Sequence, residues 1–341
     1  MRITAGAPGK LVLLGEYAVL EGAPALVLAV DRRARVSLVP ASGDYWEVVS
    51  PTLGCEARLR VGRGGVEWHD APASGLAWLA SLFGCVPFAS GLPPCRVELD
   101  SDAFFIVDPS GGQVKLGLGS SAAVTVALLG ALHACAGQSA PTLAACIAVH
   151  RAIQHGRGSG IDIAAALAGG LSRFELRGSA PDRVPVQLPE ALHWSCLFSG
   201  RPSSTAALLG AVEAWREREP AAHARHMREL ATISSRGVDA VVRHDAASFL
   251  TSLHDYAQAL ACFGEAAGVD IASRGHRLLA ALAAECGVVY KSCGAGGGDV
   301  GVTFAMDHTR LREFNARAAQ AGFAVVTLGA DREGLQTESA G

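Results

Sequence analysis

Three glycine-rich segments carry the only three lysines in this chain of 341 residues. The lysines are Lys10, Lys115 and Lys291, and 26 of the 29 lysine and arginine residues are arginine. Lysine places a compact charge on a flexible stem, whereas the arginine guanidinium is a broad planar group. Where glycine backbone wraps closely around an anion, the compact ammonium group fits better. The pattern predicts an enzyme that binds phosphate groups, although 40 glycines make some chance neighbours unavoidable.

Length and composition place the chain among folded proteins with a large core. Half of the residues are hydrophobic and 18% are charged, and 341 residues suffice for two lobes. The net charge of −3 and the isoelectric point near 6.4 argue against a nucleic-acid partner, which usually requires a strong basic excess. Any anion must therefore be bound by local groups.

The cysteines and the apolar segments predict a cytoplasmic protein. Nine scattered cysteines without a Cys-x-x-Cys pair indicate neither a disulfide framework nor a zinc site. Residues 116–150 contain no Asp, Glu, Lys or Arg, but their longest apolar piece, Ala122 to Leu132, is too short to cross a bilayer. We therefore expect a buried helix and no membrane partner, and the N-terminus does not read as a signal peptide.

Periodicity predicts an α+β protein of two lobes. Apolar runs and turn residues predict early strands at 10–14 and 23–39, a continuing sheet over 44–70, a helix near 75–83, strands near 95–107, helices at 120–136, 141–155 and 161–167, and a strand at 171–176. Helices at 204–218, 221–243, 246–265, 272–285 and 308–320 then alternate with strands at 287–292, 300–306 and 323–328. The prolines of 177–189 suggest a junction, so we predict lobes at 1–180 and 181–341, with a polar tail after Gly329.

The second glycine-rich segment leads directly into a predicted helix. Residues 115–121 read KLGLGSS, and Ser120 or Ser121 is expected to cap that helix. The first N–H groups of a helix lack internal partners and favour anions, and Gly117 and Gly119 allow close approach. The segment is neither a Walker A loop nor a dinucleotide fingerprint. On its own it fits phosphate binding or tight helix packing equally well.

Taken together, the three segments resemble those of the GHMP kinases. Residues 7–17 read APGKLVLLGEY and residues 291–299 read KSCGAGGGD, and with 115–121 they follow the order and spacing of that family over about residues 5–328. The resemblance implies a two-lobe α+β fold, with an N-terminal lobe like ribosomal protein S5 domain 2 and a ferredoxin-like C-terminal lobe. It also implies ATP as phosphate donor and Mg²⁺ as cofactor.

Further details are similar to the family members that phosphorylate 5-phosphomevalonate to 5-diphosphomevalonate. These details are Tyr17, Lys115 directly before its segment, residues 158–170 (GSGIDIAAALAGG), residues 199–205 (SGRPSST) and Asp299. The implied partners are ATP and a small phosphorylated carboxylic acid, bound by a monomer or a homodimer. Joining two phosphates chiefly requires charge neutralisation and alignment.

The resemblance assigns expected roles to individual residues. Lys10, Lys115 and Asp162 are the expected catalytic residues, and Ser121 is the expected Mg²⁺ contact. The expected ATP-binding residues are Glu16, Gly117, Leu118, Gly119, Ser120, Ser121 and Ala122. The expected substrate-binding residues are Lys10, Tyr17, Lys115, Ser159, Ser203, Ser204, Gly294, Ala295 and Gly296.

Several residues keep a structural alternative. Asp162 either orients Lys10, acts as a base or caps a helix, and Ser203 and Ser204 either contact substrate or cap the helix at 204–218. Lys291 either takes part in catalysis or ends a solvated strand.

One position departs from the family pattern. Family members that phosphorylate mevalonate carry a Glu that helps to hold Mg²⁺ eleven residues before the aspartate, and this chain has Arg151 there. The carboxylate ligand of Mg²⁺ therefore stays open. The alternatives to the leading function are phosphorylation of the mevalonate hydroxyl, a non-catalytic nucleotide-binding regulator, and a structural or docking protein.

Overall fold

A long antiparallel strand pair organises the first half of the protein. The computed structural model describes residues 2–62, 64–107, 112–177 and 180–340. Strand β1 (Arg2–Leu14) pairs with β2 (Ala25–Pro40) along almost its whole length. Because nearly all side chains from Ala7 to Leu14 are buried, this pair forms the centre of the molecule.

Six further strands extend this pair into a large sheet. They are β3 (Trp46–Ser50), β4 (Cys55–Gly62), β5 (Gly65–Trp68), β6 (Cys95–Asp100), β9 (Leu171–Arg177) and β10 (Ala180–Val186). Strands β7 (Phe105–Val107) and β8 (Gln113–Lys115) form a separate two-stranded ribbon. The order across the sheet is β10-β9-β2-β6-β3-β4-β5, with β1 also paired to β2. The β3–β6 pair is parallel.

Four helices belong to this lobe. They are α1 (Leu79–Gly84), α2 (Ser120–Cys135), α3 (Leu143–Ile153) and α4 (Ile161–Ala168). Helix α2 packs on β1 and β2 and is buried on most of its surface, which explains why its sequence lacks charges. No helix in the described ranges is both long enough and apolar enough to cross a membrane.

The second lobe is a four-stranded antiparallel sheet with helices. Its strands are β11 (His193–Phe198), β12 (Val289–Ser292), β13 (Val300–Ala305) and β14 (Ala324–Val326), in the order β12-β13-β11-β14. Its helices are α5 (Thr205–Arg218), α6 (Pro220–Val242), α7 (Ala246–Ala267), α8 (Arg274–Cys286) and α9 (His308–Gln320). With the helical insertion α5–α7 set aside, β11-α8-β12-β13-α9-β14 is the split βαβ pattern of ferredoxin-like folds.

One apolar core joins the two lobes. It combines β1 and β2 residues such as Leu13 and Leu26 with α6 and α7 residues such as Leu230 and Phe263. Tyr256 on α7 donates a hydrogen bond of 2.7 Å to the carbonyl of Glu16 at the end of β1. The lobes therefore meet through buried contacts close to the glycine-rich segments. The α+β architecture predicted from sequence is confirmed.

One prediction about the end of the chain was wrong. The chain after Gly329 is not a polar tail, because β15 (Gln336–Ala340) pairs antiparallel with the start of β1. The ion pair between Arg33 and Asp331 holds the preceding turn. The ladder between β9 and β10 includes residues on both sides of position 180, and the chain enters the second sheet at β11 (His193–Phe198). The division into lobes at 1–180 and 181–341 stays a prediction.

Candidate active site

Lys10 lies where the three glycine-rich segments meet. Its N–H donates a 2.8 Å hydrogen bond to Leu118 O in the second segment. A Cβ added to Gly119 would lie 3.1 Å from Lys10 Cγ, and one added to Gly294 would lie 3.8 Å from Lys10 Nζ. Glycine at these two positions therefore leaves room for the lysine side chain, and the fold brings residues from both lobes to a single ammonium group.

Asp162 faces that ammonium group. Its Oδ1 lies 3.7 Å from Lys10 Nζ, and 35% of the Asp162 side chain is exposed against 9% for Lys10. Helix α4 begins after Gly160, and Ser159 Oγ accepts a 3.3 Å hydrogen bond from the N–H of Ile161. Asp162 sits inside the first turn, so the alternative in which it caps the helix was wrong. Its position fits orientation of Lys10.

The start of helix α2 is open to solvent-borne anions. The N-cap is Gly119 in the left-handed conformation (φ 79°), and no side chain accepts a hydrogen bond there. The prediction that Ser120 or Ser121 caps the helix was therefore wrong, because both lie within its first turn. Ser120 is buried, whereas Ser121 is exposed. Uncapped N–H groups beside two hydroxyls have the chemistry of an anion-binding helix N-terminus, as the sequence predicts.

His150 on α3 lies behind Ser121. The Ser121 Oγ and His150 Nε2 atoms are 3.4 Å apart, and the Gln154 amide is 3.3 Å from the same ring nitrogen. Burial lowers the pKa of His150, an effect that the nearby Asp162 carboxylate partly opposes. A neutral imidazole can hydrogen-bond to the Ser121 hydroxyl and hold it in place without adding a positive charge.

A small cavity of about 160 Å³ adjoins the start of α2. Ser120, Ser121 and the exposed Lys115 line one side of it. The other walls combine apolar side chains, among them Leu53, Leu76, Trp78 and Phe105, with the hydroxyl residues Ser50, Ser101 and Thr125. A cavity with apolar and hydroxyl walls beside a helix start and a lysine suits a ligand with a flat apolar part and an anionic part.

A larger cleft of about 380 Å³ lies on the other side of Lys10. Residues from both lobes line it, including Tyr17, Ser159 and Asp162 from the first and Thr205 and Ala295 from the second. The predicted substrate-site residues Lys10, Tyr17, Ser159, Gly294 and Ala295 thus share one cavity. The two cavities flank the segment from Gly117 to Ser120.

The first and third segments are tied together across the lobes. Tyr17 adopts a left-handed backbone conformation (φ 61°), and its hydroxyl donates a 2.7 Å hydrogen bond to Ala295 O. Burial and the neighbouring Glu16 raise the pKa of Tyr17, so the hydroxyl stays protonated and can donate. Tyr17 therefore fixes the third segment and also forms part of the cleft wall.

Ser203 and Ser204 make structural hydrogen bonds. Ser204 Oγ accepts from the N–H of Ala207 at 3.4 Å and caps α5, as the alternative interpretation held. Ser203 Oγ donates to Gly296 O at 2.7 Å, and its N–H donates to Asp299 Oδ1 at 2.9 Å. Direct substrate contact by either serine stays a prediction.

Asp299 closes the third segment against the second. Burial raises the pKa of its carboxyl, while the Ser203 N–H and then the charges of Lys10 and Lys115 act to lower it. One carboxylate is thus within electrostatic range of both lysines.

Lys291 and Glu16 form a buried ion pair. The Lys291 side chain is fully buried, and that of Glu16 is 3% exposed, so the expectation of a solvated strand end was wrong. Lys291 Nζ donates one hydrogen bond to Glu16 Oε1 and another to the carbonyl oxygen of the next residue, Ser292. Burial raises the pKa of Glu16, and Lys291 opposes this shift. The pair links the end of β1 to β12, and contact of Glu16 with ATP stays a prediction.

The side chain of Arg151 bonds to the backbone. It occupies the position at which family members that phosphorylate mevalonate carry a metal-binding Glu. Its Nε donates a 3.0 Å hydrogen bond to Gly158 O. The described residues contain no group of three or more His, Cys, Asp or Glu side chains that could hold a metal ion. At phosphate sites Mg²⁺ commonly uses one or two carboxylates together with phosphate oxygens and water. The exposed Ser121 hydroxyl is the predicted protein contact, and this stays a prediction.

Sequence reasoning missed several cleft residues. His150, Gln154, His155 and Arg157 line the cleft from the end of α3 and the turn that follows it. The only signal in the sequence was the glycine-rich run 156–160, which reads as a helix break. Thr205 lies one residue beyond the serines that were considered.

The fold defines a two-lobe α+β protein with two cavities beside the glycine-rich segments. The family model described as GHMP kinases N terminal domain matches residues 81–170. Phosphomevalonate kinase of Streptomyces sp. (strain CL190) is 30% identical over 87% of this chain and 88% of its own length. The chain belongs to the GHMP kinase family.

Two further proteins illustrate the range of similarity. Mevalonate kinase of Methanothermobacter thermautotrophicus is 33% identical over 39% of this chain and 36% of its own length. The structure of Streptococcus pneumoniae phosphomevalonate kinase in complex with phosphomevalonate and AMPPNP superposes with a TM-score of 0.78 at 19% identity, covering 96% of this chain and 99% of that one. At this identity the superposition establishes the common fold.

Proposed function

We propose that this protein transfers the γ-phosphoryl group of ATP to the phosphate of 5-phosphomevalonate, giving 5-diphosphomevalonate and ADP. The observation that carries the proposal is that two ammonium groups, Lys10 and Lys115, act electrostatically on one carboxylate, Asp299, which packs against Gly117 in the second glycine-rich segment. Two anions that approach each other need cations on both sides. The near-full-length similarity to a phosphomevalonate kinase supports the same substrate.

The nucleotide would occupy the smaller cavity and the start of α2. Its phosphates would accept hydrogen bonds from the N–H groups after Gly119 and from Ser120, with Leu118 and Ala122 in the same segment. The base would lie among Leu53, Trp78 and Phe105, which line that cavity. Trp78 supplies the flat surface on which an aromatic base stacks.

The acceptor would lie in the larger cleft with its phosphate beside Lys10. An acceptor phosphate oxygen attacks the γ-phosphorus atom, and the bond from that atom to the ADP oxygen breaks. The acceptor is already largely ionised near neutral pH, so no base has to remove a proton. Alignment and charge neutralisation by Lys10 and Lys115 then dominate, and Asp162 holds Lys10 in place.

Mg²⁺ would be held by the Ser121 hydroxyl, by phosphate oxygens of the nucleotide and by water. When bound, it would neutralise charge on the phosphates. Arg151 is bonded to Gly158 and offers no oxygen ligand at the position of the family's glutamate.

Phosphorylation of the mevalonate hydroxyl is the second candidate. The similarity to an archaeal mevalonate kinase over part of the chain favours it, and Asp162 beside Lys10 could then serve as the base. A non-catalytic regulator is disfavoured because Lys10 and Asp162 are both present and paired.

A coupled assay of ADP release tests the proposal. Purified protein is given ATP, Mg²⁺ and either mevalonate or 5-phosphomevalonate at equal concentrations. The proposal predicts a much larger kcat/KM for 5-phosphomevalonate, and faster turnover of mevalonate would replace it with the second candidate. If neither acid leads to ADP release, the protein phosphorylates a different acceptor.

A further inference from the structure

The turn between α3 and α4 has an unusual backbone that carries side chains into the larger cleft. His155 adopts a left-handed conformation (φ 55°), which is rare for a residue other than glycine. Gly158 follows with φ 100°. His155 and Arg157 from this turn both line the cleft. A strained turn is maintained only when surrounding contacts fix it, and such turns are common at ligand sites.

Arg151 supplies those contacts. Its carbonyl accepts hydrogen bonds from the N–H groups of Gln154 at 3.1 Å and Gly156 at 2.7 Å, and its Nε donates to Gly158 O at 3.0 Å. One residue thus holds the backbone on both sides of Arg157. Arg151, at the position where some family members are expected to carry a glutamate, therefore stabilises the turn between α3 and α4.

Arg157 differs from Lys10, the other lysine or arginine that lines the cleft, in having no counter-charge. Lys10 is paired with Asp162, and Glu16 is paired with Lys291. Within the described ranges, no carboxylate lies within 4.0 Å of the Arg157 guanidinium, although the group lines the cleft. An unpaired guanidinium in a cavity is suited to a planar carboxylate, which it can bind through two parallel hydrogen bonds.

The acceptor of the proposed function has two anionic ends, a phosphate and a carboxylate. Its phosphate must lie beside Lys10 and the glycine-rich segments, where the reaction takes place. The carboxylate then needs a second cation in the same cleft. Apolar side chains such as Val12, Val19 and Leu209 also line the cleft and suit the methyl and methylene groups of the acid.

We propose that Arg157 binds the carboxylate of the acid acceptor and that Arg151 positions it through the α3–α4 turn. This inference rests on the proposed function, because it takes the acceptor to be a phosphorylated acid. Binding of a remote group mainly affects KM for that substrate, since the interaction exists in both the ground state and the transition state.

The test compares the wild type with Arg157→Gln, Arg157→Lys and a control, Arg225→Gln. Arg225 is an exposed residue of α6 outside the cleft, so the control removes the same charge elsewhere. Each protein is assayed with 5-phosphomevalonate and with 3-hydroxy-3-methylpentyl phosphate, an analogue with a methyl group in place of the carboxylate. Denaturant unfolding and KM for ATP establish that each variant is folded.

We expect Arg157→Gln to raise KM for 5-phosphomevalonate about 10- to 100-fold, with KM for ATP unchanged. Arg157→Lys should fall between this variant and the wild type, because it keeps the charge but loses the planar fork. The analogue should bind equally weakly to the wild type and to Arg157→Gln. Arg151→Met, which disturbs only the turn between α3 and α4, should raise KM for the acid and leave KM for the analogue unchanged.

Three results would overturn parts of this picture in distinguishable ways. If the wild type uses 5-phosphomevalonate and Arg157→Gln keeps its KM, the carboxylate assignment is wrong and the proposed function stands. If Arg157→Gln weakens the acid and the analogue equally, Arg157 binds a group they share and the assignment is again wrong. If the wild type does not use 5-phosphomevalonate, the proposed function and this inference both fail.

Discussion

The carboxylate of Asp299 packs directly against Gly117, so the third glycine-rich segment fills the space where a side chain at residue 117 would lie. A Cβ added to Gly117 would overlap Asp299 Oδ2, and the residue has φ 71°, a conformation that L side chains rarely adopt. Gly117→Ala should therefore separate the second and third segments. We expect kcat/KM to fall about 100-fold, because a displacement of about 1 Å of the groups that align the phosphates slows the reaction by that factor.

Gly210→Ala is the matched control for this substitution. Gly210 lies within α5, has open space around it and has no left-handed backbone. Alanine there should raise the free energy of unfolding by up to about 1 kcal/mol and leave the kinetics unchanged. Urea unfolding and steady-state kinetics check both variants. Wild-type kinetics for Gly117→Ala would show that the contact with Asp299 does not position the site.

Lys115→Met removes the ammonium group beside the start of α2. Lys115 is exposed, so the free energy of unfolding should change by less than about 0.5 kcal/mol. Loss of a cation that stabilises charge in the transition state should lower kcat by about 10²- to 10³-fold. Single-turnover kinetics at saturating ATP measure this effect. Near-normal turnover would remove Lys115 from the mechanism.

Lys10 and Asp162 should act as one unit. If Asp162 serves only to orient Lys10, then Asp162→Asn costs nothing further once Lys10→Met has removed the ammonium group. Each single variant should lower kcat by about 10²-fold or more, and the double variant should match Lys10→Met. Kinetics of the four proteins complete the cycle. Effects that multiply would assign Asp162 a separate role, as a base.

The fold was largely predictable because its signals are local or belong to motifs. Helix α2 was predicted to end near Ala136 and ends at Cys135, since its apolar run and glycine start are continuous in sequence. The strand β15 was missed because QTESA is polar and exposed, and only its backbone pairing to β1 makes it a strand. A strand whose side chains are all exposed has no alternation of apolar and polar residues, so its sequence does not predict it.

The site was predictable to the extent that it consists of glycine-rich motifs. The sequence indicated Lys10 and Asp162 as partners, and the structure places them 3.7 Å apart. It did not indicate the partner of Lys291, because burial of that side chain depends on Glu16, which lies 275 residues away. Nor did it indicate Arg157, whose exposure to the cleft is created by left-handed residues on both sides.

The buried pair of Lys291 and Glu16 should control stability. Lys291→Met leaves the Glu16 carboxylate buried without a counter-charge, so the free energy of unfolding should fall by about 3–5 kcal/mol. The double variant Glu16→Gln with Lys291→Met should recover much of this loss. Urea unfolding at neutral pH measures all three proteins, and an additive double variant would show that the two groups do not interact.

The same pair predicts a pH effect of defined sign. Burial raises the pKa of Glu16 above its usual value, so its protonated form is favoured in the folded state and stability falls as pH rises through the folded pKa. Without Lys291 the pKa rises further. The destabilisation caused by Lys291→Met should therefore be smaller at pH 5 than at pH 8, and the opposite trend would contradict this assignment.

His276, which bonds to the third glycine-rich segment, should make the protein less stable as the pH falls, the opposite of the effect of Glu16. Its Nε2 lies 2.8 Å from Gly298 O and its Nδ1 lies 2.8 Å from the Tyr290 hydroxyl, so the neutral ring donates to the carbonyl and accepts from the tyrosine. Burial lowers the pKa of His276 to about 4, hence stability present above pH 6.5 is lost as pH falls toward 4. Between pH 7.5 and 4.5 the wild type should lose about 2–3 kcal/mol of unfolding free energy more than His276→Gln, which cannot titrate. Equal losses in urea unfolding would show that His276 accepts a proton in the folded protein as readily as in the unfolded chain.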